Sequence, residues 1–243
     1  MSTVPEHTSK VYTVIEYGSS PEQFYEWYAP TRAADTKGLI VLVHGGFWRQ
    51  MHTLDQMHAL ARYFVAQGWA VANIEYRRAD CGGDWPAILE DVNSAFSAAR
   101  AYAADQGVSG PVVGVGHSVG GQLVLLAAQH QDVVIALAPV TDVVRTYNEG
   151  LGEHAAAAFF KDRIDEVAAA ASPIQQNFVG RHLLVVHGDA DQRVPLAHSM
   201  DFVHYAKARA ARVDCWQIAD LDHFHIIDPD CTIWSTVQEY LAN

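Results

Sequence analysis

The sequence predicts an α/β fold in which a mostly parallel sheet is flanked by helices on both faces. Apolar runs of strand length, such as residues 38–44, are continuous, as in strands that are buried on both faces of a parallel sheet. These runs alternate with segments of helical periodicity, which is the pattern of parallel strands joined through helices. A length of 243 residues, with 50% hydrophobic and 18% charged residues, favours a single domain over residues 1–243.

The first elements predict a hairpin that leads into the sheet. Residues 10–17 and 24–28 are rich in strand-forming residues, and the Gly-Ser-Ser-Pro sequence at 18–21 between them is a strong turn signal. Residues 38–44 form the first buried strand, and a loop follows from Gly45.

Strands and helices then alternate to the end of the chain. Further strands are predicted at residues 69–76, 111–115, 133–138, 182–187 and 213–218. Helices are predicted to begin at Leu54 and Pro86, to end before Gly68 and Gly107, and to cover residues 122–129 and 232–241.

The alternation breaks between residues 141 and 173, where an alanine-rich stretch stands in place of the next strand. Alanine is the strongest helix former, so we expect a short helical cap insertion here. A cap over the strand ends would exclude water and shape a pocket. Phe159 and Phe160 are therefore candidate substrate-binding residues, with plain core packing as the alternative.

The pentapeptide Gly116-His117-Ser118-Val119-Gly120 indicates the chemistry. It follows a predicted strand and precedes a predicted helix, as the G-x-S-x-G nucleophile elbow requires. A serine hydroxyl is a weak nucleophile unless a sharp turn exposes it to a base, and the flanking glycines permit such a turn. Ser118 is therefore the predicted nucleophile.

Two loops at later strand ends supply the partners that a serine nucleophile needs. Asp191 lies after the strand at 182–187, and His223 lies after the last strand. The order Ser118, Asp191, His223 is the one found in α/β-hydrolases and differs from those of chymotrypsin and subtilisin. We predict Asp191 as the acid and His223 as the base.

Each of these two loops also contains a competing residue. Asp189 stands two residues before Asp191, but the position of Asp191 past the tight turn favours the latter. His225 stands beside His223, and an H-x-H spacing offers two imidazoles to a metal. No further ligands accompany them, so no metal site is predicted and His225 is expected to be structural.

The loop after the first buried strand, His44-Gly45-Gly46-Phe47-Trp48, is a candidate oxyanion loop. Its two glycines let the backbone approach a bound carbonyl group closely. We predict that the backbone amides of Gly46, Phe47 and Val119 form the oxyanion hole. Trp48 is a candidate substrate-binding residue, with loop anchoring as the alternative.

With these motifs, the chain resembles the α/β-hydrolase superfamily of serine hydrolases from about residue 37 to residue 229. The motifs that carry the resemblance are His44-Gly45-Gly46, residues 116–121, the G-x-x-D-x-x-V-P pattern at 188–195, and Asp222-His223-Phe224. Val119 departs from the alanine of many members, and its bulk would narrow the pocket.

Within that superfamily, residues 44–48 are similar to the H-G-G-[YF]-W loop of kynurenine formamidases, which hydrolyse N-formyl-L-kynurenine in tryptophan breakdown. Glu75-Tyr76-Arg77 and Trp85-Pro86 are similar to positions there and in hormone-sensitive-lipase-like esterases. The resemblance implies hydrolysis of an aryl formamide by the Ser-Asp-His triad. The alternatives are a carboxylesterase for small or short-chain esters and a non-catalytic receptor on the same fold.

Composition excludes other classes of function. A net charge of −12 without a basic cluster argues against nucleic-acid binding, and no apolar run reaches the roughly 20 residues of a membrane span. The first residues resemble no signal peptide, and the three cysteines form no disulfide pattern, so a cytoplasmic location is expected. The expected partner is a small-molecule substrate, no cofactor is expected, and a homodimer is left open.

Overall fold

The computed structural model describes residues 11–30 and 35–242. Its strands are β1 (Thr13–Glu16), β2 (Phe24–Tyr28), β3 (Leu39–Val43), β4 (Ala70–Ile74), β5 (Val112–His117), β6 (Val133–Leu137), β7 (Phe178–Gly188) and β8 (Ala210–Ile218). Its helices are α1 (His58–Ala66), α2 (Ala87–Asp105), α3 (Val119–Leu126), α4 (Val143–Asn148), α5 (Leu151–Phe160), α6 (Ile164–Ala171), α7 (Leu196–Ala206) and α8 (Ile233–Leu241). None of the helices in these ranges is long and apolar enough to cross a membrane.

The eight strands form one sheet in the order β1-β2-β4-β3-β5-β6-β7-β8. The pairs β1·β2 and β2·β4 are antiparallel, and the six strands from β4 to β8 in this order run parallel. The predicted α/β class with a mostly parallel sheet is therefore confirmed. The opening hairpin is also present, although Lys10 of its predicted first strand lies outside the described residues.

Both faces of the sheet are buried, as its central, wholly apolar strand β3 shows. In β3, Leu39, Val41 and Val43 face one hydrophobic cluster, and Ile40 and Leu42 face the other. Helices α2, α3 and α7 cover the first face, while α1 and α8 cover the second. Covering a strand on both sides is what makes a continuous apolar run stable there.

Three short helices, α4 to α6, occupy the stretch in which the sequence predicts helices. The label α5 includes an unusual first turn, because Gly152, Glu153 and His154 all have left-handed backbone conformations with φ of 61°, 55° and 61°. Arg49 holds this turn: its guanidinium donates to the Glu153 carboxylate at 2.8 Å and to the Gly152 carbonyl at 2.5 Å. The turn is thereby fixed to the loop that follows β3.

The sheet brings the predicted functional loops together at one edge. Strand β5 lies beside β3, with Val43 paired to Gly116, so the loop after β3 begins next to the turn that carries Ser118. Strands β7 and β8 run parallel to them, so their carboxyl ends point to the same edge. Ligands bind at this edge in open α/β sheets.

Candidate active site

Ser118 occupies the sharp turn between β5 and α3, with φ 58° and ψ −117°, outside the regions that L-residues favour. Three main-chain hydrogen bonds hold it there. Its N–H donates to the Leu137 carbonyl at 2.9 Å, and its own carbonyl accepts from the amides of Gln122 at 3.1 Å and Val140 at 3.2 Å. The backbone is fixed by these bonds, and the hydroxyl is left out of them.

Two glycines are required for this turn because the chain crosses itself closely. A Cβ atom on Gly116 would lie 2.1 Å from the carbonyl oxygen of Gly120. A Cβ atom on Gly120 would lie 2.0 Å from the carbonyl oxygen of Val43. Any side chain at either position would force β3, β5 and α3 apart, which explains the G-x-S-x-G spacing in steric terms.

His223 and Asp191 form a hydrogen-bonded pair beside Ser118. His223 Nδ1 lies 2.6 Å from Asp191 Oδ2, and both side chains are buried. Because a carboxylate only accepts hydrogen bonds, Nδ1 carries the hydrogen and Nε2 keeps a free lone pair. Ser118 and His223 line the same pocket, although no hydrogen bond joins them within the described residues; such contacts often tighten only when substrate binds.

The Asp191 carboxylate is fixed by further donors. Oδ1 accepts from the amides of Arg193 at 2.8 Å and Val194 at 2.9 Å, and Oδ2 lies 3.2 Å from His187 Nε2. Burial by itself raises the pKa of this carboxyl group, but the hydrogen bonds from His187, His223 and Val194 outweigh it. The pKa of Asp191 therefore lies well below its ordinary value, and the group stays ionised.

The two competing residues lie elsewhere. Asp189 is exposed, and its Oδ1 accepts from the amide of Asp220 at 2.7 Å, so it braces the loop after β8. His225 is also exposed, and its amide donates to Asp222 at 2.8 Å. Within residues 11–30 and 35–242, no group of three or more His, Cys, Asp or Glu side chains is arranged to hold a metal ion.

His117, inside the pentapeptide, contacts His223 directly. Its Nε2 donates to the main-chain carbonyl of His223 at 2.8 Å, and the two rings lie 4.5 Å apart. Burial and then the neighbouring His223 ring lower the pKa of His117 to about 3. A neutral His117 thus positions the backbone of His223.

The loop after β3 lies against Ser118: a Cβ atom on Gly45 would be 2.9 Å from the Ser118 Cβ. Gly46, Phe47 and Trp48 all have positive φ, at 127°, 50° and 60°. Consequently the amides of Gly46 and Phe47, like that of Val119, bond to no other group in the described part of the chain. They are free to donate to a bound oxyanion.

Buried polar contacts hold this loop in its conformation. His44 Nε2 lies 2.9 Å from Glu75 Oε1, and the His44 ring stacks on Tyr76 at 4.5 Å. The Tyr76 hydroxyl donates to the His44 carbonyl at 2.7 Å, and Glu75 also binds Arg78. Burial and then the charge of Arg78 lower the pKa of His44 to about 3. These contacts with residues at the end of β4 therefore hold the loop after β3 in one conformation.

The predicted substrate-binding residues Trp48, Phe159 and Phe160 do not line the Ser118 pocket. They form a buried aromatic cluster in which Trp48 stacks on Phe159 at 5.4 Å and donates from Nε1 to Gln122 at 3.0 Å. Trp48 and Phe159 border a neighbouring pocket of about 320 Å³, which Phe47 separates from Ser118. Any contact of these residues with substrate stays a prediction.

The Ser118 pocket has other walls. It is lined by Phe47, His52, Gln56, Arg193 and Phe224 together with the residues around Ser118, and its volume is about 40 Å³. Sequence reasoning assigned no role to four of these five residues, nor to His117 or His187. Arg193 lies two residues after Asp191, the predicted acid. A charged residue so close to a predicted catalytic residue is the sequence signal that could have indicated it.

Comparison with known proteins adds the family. The BD-FAE family model matches residues 26–205. Esterase LipC of Mycobacterium tuberculosis is 28% identical over 222 residues, which are 80% of this chain and 54% of that protein. The chain thus spans about half the length of this curated relative.

Solved structures show the same fold. A truncated carbohydrate esterase from gut microbiota superposes with a TM-score of 0.82 at 17% identity, covering 96% of this chain and 97% of that one. Esterase Est2 of Thermogutta terrifontis gives a TM-score of 0.77 at 20% identity, covering 96% and 92%; it has also been solved with butyrate bound. At these identities the likeness establishes the α/β-hydrolase fold. Since the family model covers well over half of the sequence, the chain belongs to the BD-FAE family.

Proposed function

We propose that this protein is a serine hydrolase that cleaves carboxylic esters with small acyl groups. The observation that carries the proposal is the 2.6 Å contact of Asp191 with His223, which lines the same pocket as the strained Ser118. A catalytic triad needs three parts: an ionised acid, a histidine base in the right tautomer, and a serine whose hydroxyl is free of backbone hydrogen bonds. Asp191, His223 and Ser118 match these three parts.

In the first half of the proposed reaction, His223 Nε2 removes the proton of the Ser118 hydroxyl as its oxygen attacks the ester carbonyl. The amides of Gly46, Phe47 and Val119 donate to the oxygen that becomes negative. Asp191 stabilises the imidazolium that forms. His223 then gives its proton to the leaving alcohol, and an acyl group remains on Ser118.

In the second half, water replaces the alcohol. His223 takes a proton from this water, the hydroxide attacks the acyl group, and the same three amides hold the second oxyanion. The proton returns to Ser118, and the acid leaves. No step needs a cofactor, because one histidine serves as base and acid in turn.

The size of the pocket supports a small acyl group. At about 40 Å³ it is much smaller than the neighbouring pocket of about 320 Å³, so it suits a short acyl group better than a long chain. The relatives point in the same direction, since LipC and Est2 are named esterases and Est2 binds butyrate. This favours the carboxylesterase alternative over the aryl formamide.

Hydrolysis of an aryl formamide stays a second candidate on one observation. A formyl group is the smallest acyl group, and Phe47 and Phe224 offer aromatic walls beside Ser118 for the aryl part. N-formyl-L-kynurenine belongs to this class. The family assignment gives it no support beyond the shared fold.

Labelling with a fluorophosphonate tests the proposal most directly. Wild-type protein should react at Ser118, while Ser118→Ala should not react and should lose on the order of 10⁴-fold or more in kcat for 4-nitrophenyl acetate. Ser97→Ala, which removes an exposed hydroxyl on α2, is the matched control and should behave as wild type. Retained turnover in Ser118→Ala, with an unchanged circular dichroism spectrum, would contradict the proposal.

A comparison of substrates then separates the two candidates. We expect kcat/KM to fall steadily from 4-nitrophenyl acetate to butyrate to octanoate, because the pocket at Ser118 is small. N-formyl-L-kynurenine is measured under the same conditions. A kcat/KM for it above that of every ester would move the assignment to the formamidase class, and absence of labelling with absence of turnover would favour a receptor.

A further inference from the structure

Arg193 gives the Ser118 pocket a positive charge. Among the described residues that line this pocket, it is the one Lys, Arg, Asp or Glu side chain. The whole chain carries a net charge of −12, so a lone cation beside the nucleophile runs against the charge of the protein. Electrostatic focusing in a cleft attracts ligands of the opposite sign.

Two contacts orient Arg193, one through its backbone and one through its side chain. The main-chain amide of Arg193 donates to Asp191 Oδ1 at 2.8 Å, which anchors its backbone to the acid of the triad. Its Cζ lies 5.4 Å from the centre of the Phe47 ring, so the side chain is held over an aromatic face. The contact with Phe47 therefore favours a position of the cation beside the pocket, while the Arg193 side chain is 38% exposed and accessible to a ligand.

Most of its donors have no partner. Nη1 lies 3.4 Å from Glu153 Oε1, a long contact, and the Glu153 carboxylate binds Arg49 more closely at 2.8 Å. Nε and Nη2 of Arg193 make no hydrogen bond to any described residue. A planar guanidinium with a free edge matches a carboxylate, which binds it through two parallel hydrogen bonds.

Two further residues, Gln56 and His52, line the pocket together with Arg193; we call these three residues the donor wall. The Gln56 Nε2 atom is buried and has no partner within the described residues, although Gln56 lines the same pocket. Burial, followed by electrostatic interactions with His44, Arg49 and Arg193, lowers the pKa of His52. Because His52 is neutral, the positive charge of the donor wall comes from Arg193.

From this wall we infer the substrate class: an ester of a small acid with an aryl alcohol whose ring carries a carboxylate, bound by Arg193. The inference rests on the proposed esterase function. The charge is assigned to the alcohol because the proposed function already assigns a short acyl group to the other side of the ester. The ring is expected between Phe47 and Phe224, and the Phe224 side chain is 61% exposed at the pocket.

The test compares two esters that differ only in charge, 4-acetoxybenzoate and 4-acetoxybenzamide, each corrected for its rate in alkaline water. Wild-type kcat/KM should favour the benzoate by about tenfold or more at low ionic strength, the discrimination of one charge-assisted hydrogen-bonded pair. The preference should shrink as salt is added. Equal corrected rates for both esters would overturn the inference while leaving the proposed esterase intact.

Variants assign the preference to a residue. Arg193→Gln should abolish it, Arg193→Lys should keep part of it as a point charge, and Glu153→Gln should enlarge it by removing the competing carboxylate. Arg212→Gln is the matched control, because Arg212 pairs with Asp214 near the opposite end of β8. A preference that survives Arg193→Gln would refute the role of Arg193.

Binding measurements separate this inference from the proposed function. With Ser118→Ala, calorimetry on 4-hydroxybenzoate and 4-hydroxybenzamide reports the anion site without catalysis. Tighter binding of the benzoate supports the site even if neither ester is hydrolysed, in which case the esterase proposal alone fails. Equal binding, including none of either compound, contradicts the anion site.

Discussion

Asp191→Asn is a sharp test of the triad because the surrounding structure dictates how the new amide must lie. Oδ1 of Asp191 accepts from two main-chain amides, those of Arg193 and Val194, at 2.8 Å and 2.9 Å. The carbonyl oxygen of asparagine must take this place, which turns its NH₂ group toward His223 Nδ1. Two donors cannot face each other, so His223 moves its hydrogen to Nε2.

A hydrogen on Nε2 removes the base, because that nitrogen no longer accepts the proton of Ser118. The same substitution in a Ser-His-Asp triad lowers kcat by about 10⁴-fold, which corresponds to ~5.4 kcal/mol of transition-state stabilisation. We expect a loss of this size in kcat for 4-nitrophenyl acetate. KM should change little, since Asp191 does not line the pocket.

Steady-state kinetics on purified Asp191→Asn and Asp189→Asn give the answer. Asp189 stands two residues away and is exposed, so its variant controls for loss of charge in the same loop and should stay within about twofold of wild type. Circular dichroism and thermal melting check that both variants fold. A kcat for Asp191→Asn within tenfold of wild type, or an equal loss in both variants, would refute the reasoning.

Three further outcomes follow from the geometry. The pKa of Asp191 lies below its unfolded value of about 3.9, so its contribution to stability is present above that pH and is lost as pH falls through the folded pKa. In urea unfolding at stepwise lower pH, the free energy of unfolding should therefore fall less in Asp191→Asn than in wild type. An equal fall in both proteins would contradict this. His117→Ala should lower kcat by about tenfold with KM nearly unchanged, because the hydrogen bond to the His223 carbonyl is lost. His117→Gln should recover part of the lost kcat. A change confined to KM would contradict the positioning role of His117. Trp48→Ala should lower the free energy of unfolding by about 3–5 kcal/mol in urea titrations, against about 0.5 kcal/mol or less for the exposed Met51→Ala; equal losses would place Trp48 outside the core.

The sheet could be predicted from sequence because its strands are short, apolar and buried on both faces. Residues 38–44 are of strand length and almost wholly apolar, which favours the middle of a covered sheet, and β3 lies there. Helix α7 was not predicted, since Leu196–Ala206 mixes histidines and a serine into its buried face. His198 and Ser199 are buried there only because distant partners satisfy them, His187 among these.

The candidate site shows the same division between local and distant information. The sharp turn at Ser118 is encoded within five residues, so the sequence alone indicates it. The contact of His117 with His223 joins residues 106 apart, and that of Trp48 with Gln122 joins residues 74 apart. No spacing rule reveals such pairs, which is why His117 received no role and why the sequence left open whether Trp48 contacts substrate or anchors its loop.

Because three main-chain hydrogen bonds hold the turn at Ser118, its side chain can change in evolution while the turn keeps its conformation. They use only the peptide N–H and carbonyl, so they persist whatever side chain stands at position 118. A mutation there would remove the proposed nucleophile without unfolding the protein, and a glycine would even relieve the strain of the positive φ. A descendant of this gene that lost its hydroxyl would inherit an intact, charged cleft, which is a ready starting point for a binding protein.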